Sequence, residues 1–303
     1  MPLTVVGSLA FDSVKTPFGE RDRMLGGSAV HFALAASFFT EVRIVGPVGD
    51  DFGAEHVSVL EDRGIETGDI ERIAGGETFF WRGRYEYDLN VAHTEETALN
   101  VFGDFEPKLS DEARSSDTLF LGNIQPGLQR SVRTECPGAK FAGLDSMNLW
   151  IESERESLVG AIAEVDCLLL NDAEVRMLTE ESNLARAARK VMEMGPRMVV
   201  AKQGEYGAAL FTEEGFFSLP GFPLEDVLDP TGAGDSFAGG FLGHIDRNHG
   251  NLDDATLRRA MGYGSVMASF NVEDFGTERV ARLTDGEIDE RLREFKRITH
   301  FDV

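Results

Sequence analysis

The sequence predicts a three-layer α/β/α domain that carries a small β-sheet lid. Short apolar runs alternate with helix-like segments along most of the 303 residues. Buried, β-branched-rich strands separated by helices form a largely parallel sheet covered on both faces. Residues 76–99 break that rhythm, with aromatic and polar side chains interleaved and no helical period. No tandem repeat, low-complexity tract or Pro/Ser-rich linker divides the chain, so 1–303 reads as a single domain.

In chain order, strands are expected at 3–9 (LTVVGSL), 42–47, 118–124, 140–145, 165–170, 197–202 and 207–212. Helices are expected at 27–39, 53–64, 153–163, 173–179, 183–194, 235–247, 253–269 and 285–297. The segment "GETFFWRGRYEYDLNVAHTEETAL" reads as two or three antiparallel strands exposed on one side. With the loop around 12–25 it forms the lid insert at the edge of the main domain. Alternation places Arg82 and Arg84 on one lid face, and Tyr85 and Tyr87 on the other. An inward Arg face would hold an acidic or phosphorylated sugar, whereas an inward Tyr face would stack a sugar ring or nucleobase. A third use of either face is a homodimer contact.

Composition narrows the function. The net charge of −24 argues against nucleic acid as a partner, because phosphate-backbone binding needs basic surface. The acid excess forms no single block. It fits either an ordinary solvated surface or adaptation to high salt. No run of about 18 apolar residues exists to span a membrane, and "MPLTVVGSLAF" has neither a basic region nor a cleavage site. Cys136 and Cys167 stand apart from any CxxC or Cys/His cluster. Reduced thiols and a cytoplasmic location are expected, without a structural zinc.

The chemistry concentrates in residues 229–241, "DPTGAGDSFAGGF". Gly232, Ala233 and Gly234 would turn an extended segment into a helix. Small residues there let backbone N–H groups crowd an anion at the positive end of the helix dipole. Asp235 follows in the first helical turn. An acid at that place is either a helix cap or a base that takes a proton from an attacking hydroxyl.

The longer string closely resembles the C-terminal signature of the ribokinase-like (PfkB) family of carbohydrate and nucleoside kinases, whose fold is Rossmann-like. Further family landmarks follow in order. "GGSAVHFALAASFF" is similar to the paired-glycine motif, "LLLNDAEV" to the Asn-x-x-Glu motif, and "VVAKQGEYGAALF" to the strand–Gly–strand segment beside the nucleotide phosphates.

The resemblance implies ATP and magnesium as cofactors, an anion hole at Gly232–Gly234, and Asp235 as catalytic base. It implies that Asn171 and Glu174 organise magnesium through water, as suits a hard ion that keeps much of its hydration. Lys202, Gly204, Gly207 and Thr231 would line the nucleotide. Lys202 reads equally as a snorkelling surface lysine. Asp229 and Thr231, facing the loop after "ASFNVEDFG", would hold a monovalent cation such as potassium.

The acceptor pocket would be built from Asp12, Gly26, Gly27, His31, Arg82, Arg84, Gln125 and Asp145. Charged hydrogen bonds suit one carboxylate, Asp12, to two hydroxyls. Gln125 and Asp145 end strands at the edge where ligands collect. Two positions depart from the ribokinase pattern. His31 and Ala10 stand where ribose-type kinases have Asn, which argues against ribose itself.

The expected function is ATP-dependent phosphorylation of a hydroxyl on a sugar or sugar derivative. The alternatives are a nucleoside kinase of the same family and a catalytically silent nucleotide-binding regulatory protein. A nicotinamide-dependent dehydrogenase is disfavoured, since no GxGxxG follows the first strand.

Overall fold

The computed structural model describes residues 2–300. Its first half runs β1 (Leu3–Val6), β2 (Ala10–Thr16), β3 (Gly19–Gly26), α1 (Ser28–Ala36), β4 (Val42–Val48), α2 (Ala54–Glu61), β5 (Glu66–Arg72), β6 (Phe79–Tyr85), β7 (Ala92–Ala98), α3 (Asp111–Arg114), β8 (Thr118–Leu121) and α4 (Pro126–Glu135). There follow β9 (Phe141–Asp145), α5 (Asn148–Ser153), α6 (Arg155–Ile162), β10 (Cys167–Asn171), α7 (Asp172–Thr179), α8 (Leu184–Met192), β11 (Met198–Lys202), β12 (Ala208–Thr212) and β13 (Phe216–Leu219). The chain ends with α9 (Ala233–Arg247), α10 (Asp254–Asn271), α11 (Glu278–Ala281) and α12 (Asp285–Thr299).

The main sheet has nine strands in the order β13-β12-β11-β10-β9-β8-β1-β4-β5. From β11 to β5 every neighbouring pair is parallel; β12 and β13 add an antiparallel hairpin at one edge. Strand side chains alternate between two apolar layers. On β10, Cys167 and Leu169 enter one core cluster, and Leu168 and Leu170 the other. That is why these strands read as continuous apolar runs.

The first layer holds α1, α9 and α10. Phe32 of α1 stacks on Phe120 of β8 with ring centroids 4.1 Å apart. Helices α1 and α9 approach closely because α9 presents glycine: a Cβ at Gly239 would lie 2.4 Å from the Phe32 carbonyl oxygen.

The order reverses at β1, with β4 and β5 on one side and β8 to β11 on the other. Ligands of open parallel sheets gather at the carboxyl ends of strands beside such a reversal. The expected site residues Asp145, Asn171 and Lys202 end β9, β10 and β11.

The lid is a second sheet in the order β3-β2-β6-β7, with β2 parallel to β6 and the outer pairs antiparallel. Here the structure corrects the sequence reading. The segment read as a loop around 12–25 is a β2–β3 hairpin spanning 10–26. The first strand stops at Val6 rather than running to 9. Strands β5 and β13 and helix α4 were not expected. The first two are edge strands, and β5 (ETGDIER) is too polar to register as buried. Helix α4 (PGLQRSVRTE) buries only Pro126, Gln129 and Val132, too thin a stripe to show a period.

Candidate active site

Two helix N-termini meet at the switch point, and each is shaped by a glycine in a conformation other residues avoid. Gly232 caps α9 at φ 76°, and Gly27 caps α1 at φ 96°. Among the described residues, the Gly232 and Gly234 N–H groups donate to no backbone carbonyl, whereas the Ala233 N–H is engaged by the Pro230 oxygen at 3.2 Å. Free N–H groups at the start of a 15-residue helix are the elements of an anion site.

Asp235 lies in the first turn of α9. Burial and then the neighbouring Asp145 push its carboxyl well above the ordinary carboxylate range, against the pull of Lys202. Lys202 ends β11 and donates to Asp145 Oδ2 at 2.6 Å, with side-chain exposures of 16% and 6%. Little solvent screens that pair. Burial would lower the lysine's pKa, but Asp145, Glu174 and Asp235 outweigh it and hold the ammonium charged. Its Nζ lies 3.0 Å from where a Cβ on Gly234 would sit, directly beneath the anion hole. Lys202 is therefore no snorkelling surface residue.

Asn171 and Glu174 form a capping box at the start of α7, with reciprocal bonds of 2.8 and 2.9 Å. Glu174 still has one carboxylate oxygen free of that box. Burial and then Asp145 push its carboxyl up to about 7. Asp145, Glu174 and Asp235 thus share Lys202 as their cation, a deficit of positive charge that a hydrated divalent ion would fill. Among the described residues no three His, Cys, Asp or Glu side chains converge as a metal cage.

On the acceptor side, Asp12 of β2 is buried against Gly26; a Cβ there would lie 2.0 Å from Asp12 Oδ2. Burial and then Asp229 raise the Asp12 carboxyl to about 7, although the Gly27 N–H donates to it. Asp229 is buried too, and burial raises it. Its carboxylate accepts from the Thr231 N–H at 2.9 Å and the Gly276 N–H at 3.0 Å. The anion-hole loop and the loop after α10 are thus tied together.

His31 is buried beneath the anion-hole turn, and burial lowers its imidazole to about 4. Its Nδ1 is 2.9 Å from Asn271 Oδ1. Asn271 was not singled out from the sequence. The available signal was an amide closing the otherwise apolar stretch "SVMASFN", since a buried amide must find partners.

Of the two tyrosines expected on one lid face, only Tyr85 reaches this site, because β6 ends there and Tyr87 lies beyond the strand. The Thr231 hydroxyl donates to the Tyr85 hydroxyl at 3.2 Å, and burial raises the Tyr85 phenol. Tyr87 stays 84% exposed. Asn90, in the β6–β7 turn, leans on Gly204: a Cβ there would be 2.5 Å from Asn90 Oδ1. Gly204 opens a single 3-10 turn that Gly207 closes.

The arginine face lies apart. Arg82 pairs with Asp22 at 3.1 Å and Glu96 at 3.9 Å; Arg84 pairs with Glu86, and with Glu95 at 3.4 Å. Gln125 also stays outside the cluster, capping α4 through Leu128 N and donating to Glu154 at 2.6 Å.

A family model described as "pfkB family carbohydrate kinase" matches residues 7–282. The cytidine kinase of Thermococcus kodakarensis is 28% identical over 258 residues, covering 82% of this chain and 89% of that one. The nucleoside kinase of Burkholderia thailandensis in complex with inosine superposes with a TM-score of 0.80 at 20% identity, covering 98% of both chains. The aminoimidazole riboside kinase of Salmonella enterica, complexed with aminoimidazole riboside and an ATP analogue, gives a TM-score of 0.74 at 20% identity, covering 96% and 100%.

Proposed function

This chain belongs to the pfkB family of carbohydrate kinases and is a phosphotransferase with an alcohol as acceptor, and from that premise we propose that it phosphorylates an uncharged nucleoside at the expense of ATP. The observation that carries the uncharged acceptor is the distribution of charge. Asp12, Asp229 and Asp235 border the acceptor side and interact electrostatically. Three lid cations are already paired, Arg23 with Asp51 at 2.9 Å and Arg82 and Arg84 with lid carboxylates, while the exposed Arg21 lies over the Phe275 ring at 5.1 Å. An acidic or phosphorylated sugar would add negative charge beside three carboxyls whose ionisation burial already opposes. A nucleoside offers hydroxyl donors to Asp12 and a flat base to the inward Tyr85 face. The likeness to the cytidine kinase supports a nucleoside over a free sugar.

In this reading Asp235 accepts the proton of the acceptor hydroxyl as its oxygen bonds to the γ-phosphorus and the bond to the bridging oxygen of ADP breaks. The Gly232 and Gly234 N–H groups receive the charge on the transferring phosphoryl group. Lys202, next to the Gly204–Gly207 turn, would neutralise charge on the phosphates. Glu174 and Asn171 would hold magnesium through water, and that ion would supply neutralising charge. Asp229 and Thr231, with the loop that includes Gly276, would hold a monovalent cation. The closed lid excludes water, the competing nucleophile.

A coupled assay for ADP with nucleosides, free sugars, sugar acids and sugar phosphates tests the acceptor. Turnover is expected with one or more nucleosides and none with the anionic compounds. A sugar phosphate or sugar acid as best substrate would overturn the charge argument, and a free sugar as best substrate would overturn the nucleoside alone.

A further inference from the structure

His31 was expected at the acceptor, yet its one side-chain hydrogen bond runs to Asn271, which holds the Gly232–Gly234 turn, while its Nε2 is buried without a partner among the described residues. We infer that His31 is a positioning residue that fixes the anion-hole turn through Asn271, rather than a contact for the acceptor. The inference rests on reading Gly232–Gly234 as the phosphoryl site.

Asn271 closes α10 and is 1% exposed; His31, on α1, is 2% exposed. Both ends of the Asn271 amide are engaged. Its Oδ1 receives the Ser236 hydroxyl at 2.9 Å and faces His31 Nδ1 at 2.9 Å. Its Nδ2 donates to the Thr231 carbonyl at 2.7 Å. Since Oδ1 is an acceptor only, His31 must carry its proton on Nδ1. A neutral ring agrees with the depth of burial.

The ring also packs against the turn. A Cβ on Gly232 would lie 2.3 Å from His31 Nδ1 and 2.4 Å from Cε1 and Cγ, so the imidazole forms the floor under the left-handed residue. Thr231 and Ser236 flank the turn on both sides, and Asn271 holds both of them. The Thr231 hydroxyl in turn meets Tyr85 of the lid. The N–H groups that must meet a phosphoryl oxygen are thereby fixed from below by one His–Asn pair. Preorganised donors of this kind need no rearrangement as charge develops.

Two variants separate the ring from the hydrogen bond. His31→Phe keeps a ring under Gly232 and loses the donor to Asn271. His31→Asn places an amide N–H near the former Nδ1 and loses the ring. With the acceptor that the panel identifies, His31→Phe is expected to lower kcat by about tenfold or more with the acceptor KM within about twofold. His31→Asn should recover part of that loss. His31→Phe should also weaken binding of ADP with aluminium fluoride, a probe of the phosphoryl site that needs no turnover.

An acceptor KM raised in both variants at unchanged kcat would overturn the inference in favour of acceptor binding. Loss of thermal stability with kcat and probe affinity unchanged would overturn it in favour of a core role. A double-mutant cycle with Asn271→Ala should be strongly non-additive, and additive losses would count against a shared path. If Asp235→Asn proves inactive while both His31 variants behave as wild type, the phosphoryl site stands and only the His31 role falls.

Discussion

As the proposed base, Asp235 combines two demands that normally conflict. A base must be free of its proton, yet burial and Asp145 raise this carboxyl, so that without cations it favours the protonated form. Cations at Glu174 and along the phosphates would lower it again. If Asp235 is the base as proposed, the enzyme's own residues would make it ready only when the donor and its ion are bound. Asp235→Asn should cut kcat by about a hundredfold or more, the usual scale for a general base. It should not lower Tm, because it removes a buried group that repels Asp145. Near-normal turnover would end the base assignment, and a large drop in Tm would contradict the electrostatic account. The Gly232–Asp235 string was legible in the sequence because its residues are contiguous. The His31–Asn271 pair was not, because the partners are 240 positions apart and nothing local announces their meeting.

Elements were legible where periodicity was strong. All eight expected helices occur, with ends shifted by up to three residues. Missed elements were short, polar or at an edge, where burial imposes little pattern. The small residues after Asp235 let α9 come close to another helix, since Gly239 lies against α1 at their crossing. Gly239→Ala tests it by setting two effects against each other. Alanine favours a helix interior by about 1 kcal/mol over glycine. Overpacking costs about 1–3 kcal/mol, and here the obstacle is the Phe32 carbonyl, which cannot rotate away. The steric term should win, with a net loss of about 1–2 kcal/mol seen in urea denaturation. A stabilised variant would mean that α1 and α9 can separate without cost.

At the scale of the whole molecule, the domain holds a chain of buried acids that its own cations do not balance. Asp12 and Glu174 reach about 7 in the folded protein against ordinary values of 3.8 and 4.5. A carboxyl raised on folding contributes stability that is complete below its unfolded pKa and lost as pH climbs through the folded one. These two acids therefore weaken the fold as pH rises from about 4 to about 7. His31 acts the other way: lowered from 6.5 to about 4, it costs stability as pH falls across that window. Asp229 and Asp235 are also raised, so the acids prevail. The cation-free protein should then lose Tm between pH 5 and pH 8. A bound ion offsets that loss, since a ligand at a hundred times its Kd adds about 2.7 kcal/mol. Magnesium and potassium should therefore raise Tm more at pH 8 than at pH 5. Tetramethylammonium at equal ionic strength controls for screening of the −24 net charge. An equal gain from all these cations at both pH values would mean that the buried acids do not form a cation site, and that the surface charge alone governs how salt acts on this fold.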